Sequence, residues 1–107
     1  MPVSVLLTLA IAAEVAATVS LRYSEGFSRL MPSIVVVVGY ATSFYLLSLI
    51  LRELSVGTTY AIWAGAGTAA IALIGVVVLG EPVTALKVAS LALIVAGVVG
   101  LNLSGAH

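Results

Sequence analysis

Four long apolar runs dominate the chain, and short polar segments separate them. The runs predict four helices, at residues 3–21, 32–51, 56–79 and 85–104. About 20 residues at 1.5 Å per residue cross a hydrocarbon core about 30 Å thick, so each run is long enough to span a bilayer. Pro32 and Pro82 stand where a following helix would begin, because proline needs no N–H partner there. The pattern predicts an all-α membrane protein with one four-helix transmembrane domain over residues 1–107.

Composition supports this interpretation and narrows the chemistry. Of the 107 residues, 63% are hydrophobic and 7% are charged, which leaves no material for a soluble domain. There is no cysteine, and the single histidine is His107, so disulfides and clustered metal ligands are not expected. We therefore predict no metal, no cofactor, no nucleic-acid partner and no enzymatic activity. A cleaved signal peptide at residues 3–21 is disfavoured, because no basic segment precedes the run and Glu14 interrupts it.

The loop charges give only a small bias in membrane orientation. Alternate loops fall on opposite sides of the bilayer, which puts Arg22, Arg29 and Lys87 on one side and Arg52 on the other. The positive-inside rule favours the first group in the cytoplasm, yet three charges against one is a weak preference. Insertion in both orientations is physically possible.

Glu14 is the single charged residue in the interior of the predicted spans, since Lys87 lies in the first turn of the fourth. It lies about 16 Å along its helix, close to the middle of the bilayer, where a charged side chain costs about 3 kcal/mol on insertion scales. Such residues usually face an interior or a wet cavity and mark ion or substrate paths. Burial favours the protonated form, so a proton could compete with a cation for this carboxyl group. The alternative is a permanently protonated acid that only joins two helices.

Aromatic and small side chains occur at helical spacing near this acid. An aromatic-walled space with one carboxylate suits a bulky lipophilic cation, because ring faces attract positive charge. Taken singly, each aromatic residue could instead fill a core or anchor the membrane interface. The residues predicted to bind substrate together with Glu14 are Tyr40, Phe44, Leu47, Tyr60, Trp63, Leu7, Ala10 and Thr18.

Two sets of small residues suggest movement and association. Gly65 and Gly67 lie near the centre of the third helix, where glycine costs about 1 kcal/mol each relative to alanine, so we predict a bend there, with close packing as the alternative. Small residues also form stripes on the fourth helix, whose segment from Ser90 to Gly100 has neither charge nor aromatic ring. They favour either association of two copies or packing within one chain. The residues predicted to pack there are Ser90, Leu93, Ala96, Gly97 and Gly100.

Several short motifs together give the chain a family resemblance over nearly its whole length. It resembles the small multidrug resistance family of bacterial transporters. The matching segments are Ala13-Glu14-Val15 with Thr18, Ser24-Glu25-Gly26-Phe27 with Arg29-Leu30, Tyr60-Ala61-Ile62-Trp63, Gly65-x-Gly67, Leu79-Gly80-Glu81, and Leu93-Ile94-x-x-Gly97-Val98.

The resemblance implies an antiparallel homodimer in the bacterial inner or plasma membrane. In that family two copies of the acid, Glu14 here, bind either protons or a cationic drug, and a proton gradient drives export without a cofactor. The fourth helix is the family's dimer contact, and the substrate residues named above map onto the family's binding site.

The resemblance also favours one branch of the family. The branch that exports guanidinium-type compounds typically has tryptophan three residues after the acid, where this chain has Ala17. The branch that exports quaternary ammonium and other lipophilic cations is therefore the better match. Ser90 occupies a position where the family usually has glycine, and Ala66 one where it commonly has valine. Helix packing and bending are therefore expected to differ from the family pattern.

Two functions of other classes remain as alternatives. One is a structural or lipid-handling membrane protein in which Glu14 only holds helices together. The other is a subunit of a proton-conducting ring, against which the aromatic cluster argues.

Overall fold

The computed structural model describes residues 2–104; residues 1 and 105–107, among them His107, lie outside the described part. Within that part the chain forms helices and no strand, which confirms the all-α prediction. Each helix is long and apolar enough to cross a membrane. The four helices are α1 (Val3–Tyr23), α2 (Leu30–Ile50), α3 (Val56–Val77) and α4 (Ala85–Leu103).

The starts of α1, α3 and α4 coincide with the predicted ones, and the other helix boundaries differ by one or two residues. The predicted start of α2 at Pro32 was wrong. The helix begins at Leu30, so Pro32 occupies the third helical position rather than the first. This is sterically permitted because the N–H groups of the first turn have no partner inside the helix. At the other ends, α1 extends to Tyr23, while α3 stops at Val77 before Gly80 adopts a left-handed conformation (φ 70°).

Side-chain caps fix the starts of α3 and α4. The Ser55 hydroxyl accepts a hydrogen bond from the Thr58 N–H at 3.3 Å, and the Thr84 hydroxyl accepts one from the Lys87 N–H at 3.0 Å. Each bond satisfies an N–H group that would otherwise lack a partner. Thr84, and not Pro82, therefore marks the start of the last helix.

The chain divides into two compact units between Glu53 and Leu54. In the first unit α1 packs against α2, and in the second α3 packs against α4. We call these units the first and the second hairpin. Short connections, residues 24–29 in the first pair and 78–84 in the second, return the chain beside the helix it has just left and make each pair antiparallel.

Glycine allows close contact between the helices of each hairpin. A Cβ atom at Gly39 of α2 would lie 2.8 Å from the Ala17 Cβ and 3.0 Å from the Ala13 carbonyl oxygen of α1. At Gly65 of α3, an added Cβ would overlap a methyl group of Val98 on α4. Gly39 therefore excludes any side chain unless the helices move apart, whereas at Gly65 either the Val98 side chain or the helix must shift.

The predicted bend at Gly65 and Gly67 does not interrupt the helix in this conformation. α3 runs continuously from Val56 to Val77 through both residues. Gly65 is placed against α4, as the close-packing alternative requires, and Gly67 is buried. A bend at these glycines in another conformation remains a prediction.

Candidate functional site

A hydrogen-bonded chain of three side chains joins α1 to α2 within the first hairpin. The Thr18 hydroxyl donates to Glu14 Oε1 at 2.9 Å and is 2.7 Å from the Tyr40 hydroxyl. Thr18 has one proton, which it gives to Glu14, so Tyr40 must donate to Thr18. The structure thus brings together three of the predicted site residues in one series of hydrogen bonds, in which Tyr40 donates to Thr18 and Thr18 donates to Glu14.

The chain of hydrogen bonds ends on an acid without a basic partner. Within residues 2–104, the ion pairs are Arg29 with Glu25 and Lys87 with Glu81, all outside the helix interiors that carry Glu14. Glu14 is half-buried, one turn before Thr18 on α1. An ionised carboxylate at this depth needs a counter-charge, and a proton or a cationic ligand can supply it.

Aromatic rings extend the site along α2. The Tyr40 and Phe44 rings stack with centroids 6.4 Å apart and an interplanar angle of 24°. Phe44 is 62% exposed, and Leu47, one turn further, is half-buried. The surface formed by Tyr40, Phe44 and Leu47 therefore has the Tyr40 hydroxyl at one edge and apolar side chains over the rest.

The small residues of α1 serve mainly to bring the two helices together. Ala10 and Ala17 are fully buried, and Ala17 lies against Gly39. Ala10 was predicted to contact substrate, but its surface is fully covered in this conformation. Leu7, also predicted to contact substrate, is half-buried.

The remaining predicted substrate residues belong to the second hairpin. Tyr60 is 71% exposed, and Trp63, three residues later on α3, is half-buried. Rings with free faces can bind a cation by the cation–π attraction. Their place in a substrate site remains a prediction.

The predicted packing surface of α4 is exposed in the part of the chain that the structure describes. No described residue of α4 is buried, and Leu93 is 75% exposed. A Cβ atom at Gly97 or Gly100 would meet nothing within 4 Å. Ser90 and Ala96 are exposed as well.

Three features of this arrangement were not predicted. Gly39 lets α2 approach α1 next to Tyr40. The sequence indicates this contact through Ala13 and Ala17, which are four residues apart and form a face of small residues on α1. Ser43 is buried and donates to the Tyr40 carbonyl oxygen at 2.9 Å. Thr59 is buried with its hydroxyl unpartnered within residues 2–104, which periodicity alone does not reveal.

Fold and site together define a small multi-pass membrane protein with an uncompensated carboxyl group inside its spans. Comparison with known proteins then gives the family. The model of the Small Multidrug Resistance protein family matches residues 3–94. The chain belongs to this family.

Individual relatives cover almost the full length of both chains. The multidrug resistance protein Mmr of Mycobacterium tuberculosis (strain ATCC 25618 / H37Rv) is 49% identical over 102 residues, covering 94% of this chain and 95% of that protein. The guanidinium exporter of Escherichia coli K12 is 45% identical over 100 residues, with 94% and 95% covered. That of Yersinia pestis is 43% identical over 100 residues, with 94% and 96% covered. The family and the four spans confirm a multi-pass protein of the bacterial inner membrane.

Proposed function

We propose that this protein is a proton-coupled antiporter that exports lipophilic and quaternary ammonium cations. The observation that carries the proposal is Glu14, a carboxyl group within a membrane-spanning helix that no basic side chain of the described residues neutralises. Such a group is costly unless it binds something positive. Nothing in this function requires a chemical reaction or a cofactor.

The mechanism is competition for one carboxyl group. When Glu14 is ionised it attracts a cation, and when it is protonated the attraction is lost and the cation leaves. The hydroxyl of Thr18 supports the ionised form, because its proton already points at Oε1. Protons that enter from one side of the membrane can therefore drive a cation out from the same site.

The proposed assembly is an antiparallel homodimer. α4 presents an apolar surface with no buried residue and with open space at Gly97 and Gly100, which suits close approach of another helix. The small charge difference between the loops permits both orientations. Two copies of Glu14 would then share one site, and their protonation would be coupled.

Two observations bear on the substrate class. Ala17 is fully buried against Gly39, so the tryptophan typical of the guanidinium branch has no room at this position. The stacked rings of Tyr40 and Phe44 offer apolar contact area for a bulky cation. A guanidinium exporter is the second candidate, because relatives with that name are 43–45% identical to this chain.

Cation binding across a pH series tests the proposal. Tetraphenylphosphonium should bind the purified protein more tightly as pH rises, and Glu14→Gln should abolish this binding. Glu25→Gln is the matched control, because Glu25 lies in the first loop and pairs with Arg29 at the surface. In liposomes an inward proton gradient should drive cation export in the wild type and in Glu25→Gln. Cation export that persists in Glu14→Gln would refute the mechanism.

The same series separates the rival functions. A guanidinium exporter would bind guanidinium compounds in a Glu14-dependent manner and fail to bind tetraphenylphosphonium. A structural or lipid-handling protein would bind neither cation. A proton-conducting ring subunit would form a large assembly in detergent, where the proposed transporter forms a dimer.

A further inference from the structure

Thr59 differs from the other buried polar side chains of the described chain. Ser24, Ser43 and Thr59 are each 0% exposed. The hydroxyls of Ser24 and Ser43 donate to main-chain carbonyl oxygens, at 2.7 Å to Leu21 and 2.9 Å to Tyr40. The Thr59 hydroxyl has no hydrogen-bond partner among residues 2–104.

An unpaired hydroxyl at this place is unexpected on energetic grounds. A helical threonine can satisfy itself by donating to a carbonyl oxygen one turn earlier, as Thr8 does to Ser4 at 2.8 Å. A buried polar group left without a partner destabilises the fold. The Thr59 hydroxyl therefore has both a free proton and free lone pairs to offer to another molecule.

The position of Thr59 on α3 relates it to the aromatic residues of the second hairpin. Thr59 and Trp63 are four residues apart, so their side chains are neighbours on one helix face, about 5–6 Å apart at Cβ. Tyr60 is the next residue and carries an exposed ring. A flat cation that stacks on Trp63 would lie along the same helix face as the Thr59 hydroxyl, which must be uncovered for the two to meet because it is fully buried in this conformation.

We propose that Thr59 is a specificity-determining residue that accepts a hydrogen bond from the N–H groups of a bound cation. The inference rests on the proposed function and ranks its substrates: quaternary cations still bind through Glu14, and cations with N–H groups bind more tightly. Aromatic cations that carry amino or guanidino groups gain this bond. Cations of equal size whose nitrogens are fully alkylated cannot donate, and they leave the hydroxyl unpaired. Sites built around a hydrogen bond discriminate in this way against analogues that lack it.

Two matched dyes and three variants test the inference. One dye is a diaminoacridinium methylated at its ring nitrogen, and the other is the same cation with both amino groups fully methylated; both stay positively charged at every pH. Binding is followed in alkaline buffer through quenching of Trp63, the only tryptophan of the chain. The measured quantity is the ratio of the two dissociation constants, which cancels effects common to both dyes.

Thr59→Val should lower the preference for the amino dye about tenfold, as expected for a hydrogen bond to a charged donor. Thr59→Ser keeps the hydroxyl and should keep the wild-type ratio. Thr58→Val applies the same change to a half-buried neighbour and should also leave the ratio unchanged.

The outcomes separate this inference from the proposed function. If the wild type binds the dyes in a Glu14-dependent manner and Thr59→Val weakens both dyes equally or neither, the inference is wrong and the proposed function stands. A ratio that shifts equally in Thr58→Val, or that Thr59→Ser fails to keep, also overturns the inference. Binding that is absent in the wild type, or unaffected by Glu14→Gln, overturns both.

Discussion

Gly39→Ala should damage the proposed site without touching any of its polar groups. The new Cβ would lie 2.8 Å from the Ala17 Cβ and 3.0 Å from the Ala13 carbonyl oxygen. Carbon atoms pack best at about 3.5–4.0 Å, so the contact falls short by about 1 Å. Neither neighbour can rotate away, because one is a methyl group fixed to the backbone and the other is the backbone itself. The helices α1 and α2 must therefore separate.

The separation also affects the hydrogen bond between the two helices. Tyr40 follows Gly39 directly, and its hydroxyl is 2.7 Å from Thr18 Oγ1. An added separation of about 1 Å would take these oxygens beyond the range of an O–H···O bond, which ends near 3.0 Å. Overpacking of this kind typically costs about 1–3 kcal/mol. Both the stability of the first hairpin and Glu14-dependent cation binding should fall together.

Gly57→Ala is the matched control for this experiment. Gly57 lies in the first turn of α3, and a Cβ there would meet nothing within 4 Å. Both substitutions gain a similar helix propensity, so their difference in unfolding free energy isolates the overpacking term. The assay is unfolding of the purified protein in mixed detergent with increasing dodecyl sulfate, followed by helix content, with tetraphenylphosphonium binding measured in parallel. Equal stability and binding of the two variants would refute the reasoning.

Three further predictions concern single contacts. A double-mutant cycle with Thr18→Val and Tyr40→Phe should give a coupling energy of about 0.6–1.7 kcal/mol in detergent unfolding, the range for hydrogen bonds between membrane helices. Gly65→Ala should destabilise the protein by about 1–3 kcal/mol through overlap with Val98, and should become neutral or stabilising in a Val98→Ala background, because the overlapping methyl groups are then gone. Leu93→Cys, near the middle of α4, should form a disulfide between two copies in membranes, because antiparallel helices that cross at their centres bring this residue to its counterpart.

Each of these three predictions has a result that would contradict it. Zero coupling between Thr18 and Tyr40 would show that their short contact contributes nothing to helix association. A loss of stability at Gly65→Ala that persists without the Val98 side chain would point to a cause other than this overlap. Leu73→Cys is the control for Leu93→Cys, because Leu73 is a 62% exposed leucine on α3 and the chain has no native cysteine. Cross-linking of Leu73→Cys alone would contradict the proposed α4 interface.

The fold was largely predictable because the membrane reduces the choices. Four apolar runs of about 20 residues can cross the bilayer only as helices, since every main-chain polar group must be satisfied within the segment. The short loops then require antiparallel neighbours. The ends were less predictable: Pro32 suggested a start two residues too late, because proline is tolerated throughout the first turn and does not mark a single position.

Some contacts among the candidate site residues were predictable from the sequence, and the atoms that form them were less so. The four-residue separation of Glu14 and Thr18 placed them on one helix face, and the two are hydrogen-bonded. Tyr40 was expected as an aromatic wall, whereas its hydroxyl bonds Thr18, because periodicity identifies a helix face and not the atoms that meet across two helices. Ala10 has the right spacing for a substrate contact, but a side chain this small is covered completely once the helices pack.

In the first hairpin, the close packing of α1 on α2 and the hydrogen bonds to Glu14 lie side by side. A conformational change that alters one of them must therefore alter the other. Gly39 and Ala17 set the distance between α1 and α2, while Tyr40 and Thr18, one residue along each helix, form the bond that orients a proton toward Glu14. Any movement that separates the helices must lengthen this bond and so weaken the support for the ionised carboxylate. A conformational change that separates α1 from α2 should therefore disrupt the packing of Gly39 on Ala17 and the hydrogen bond of Tyr40 with Thr18 together, because the same two turns of helix carry both contacts.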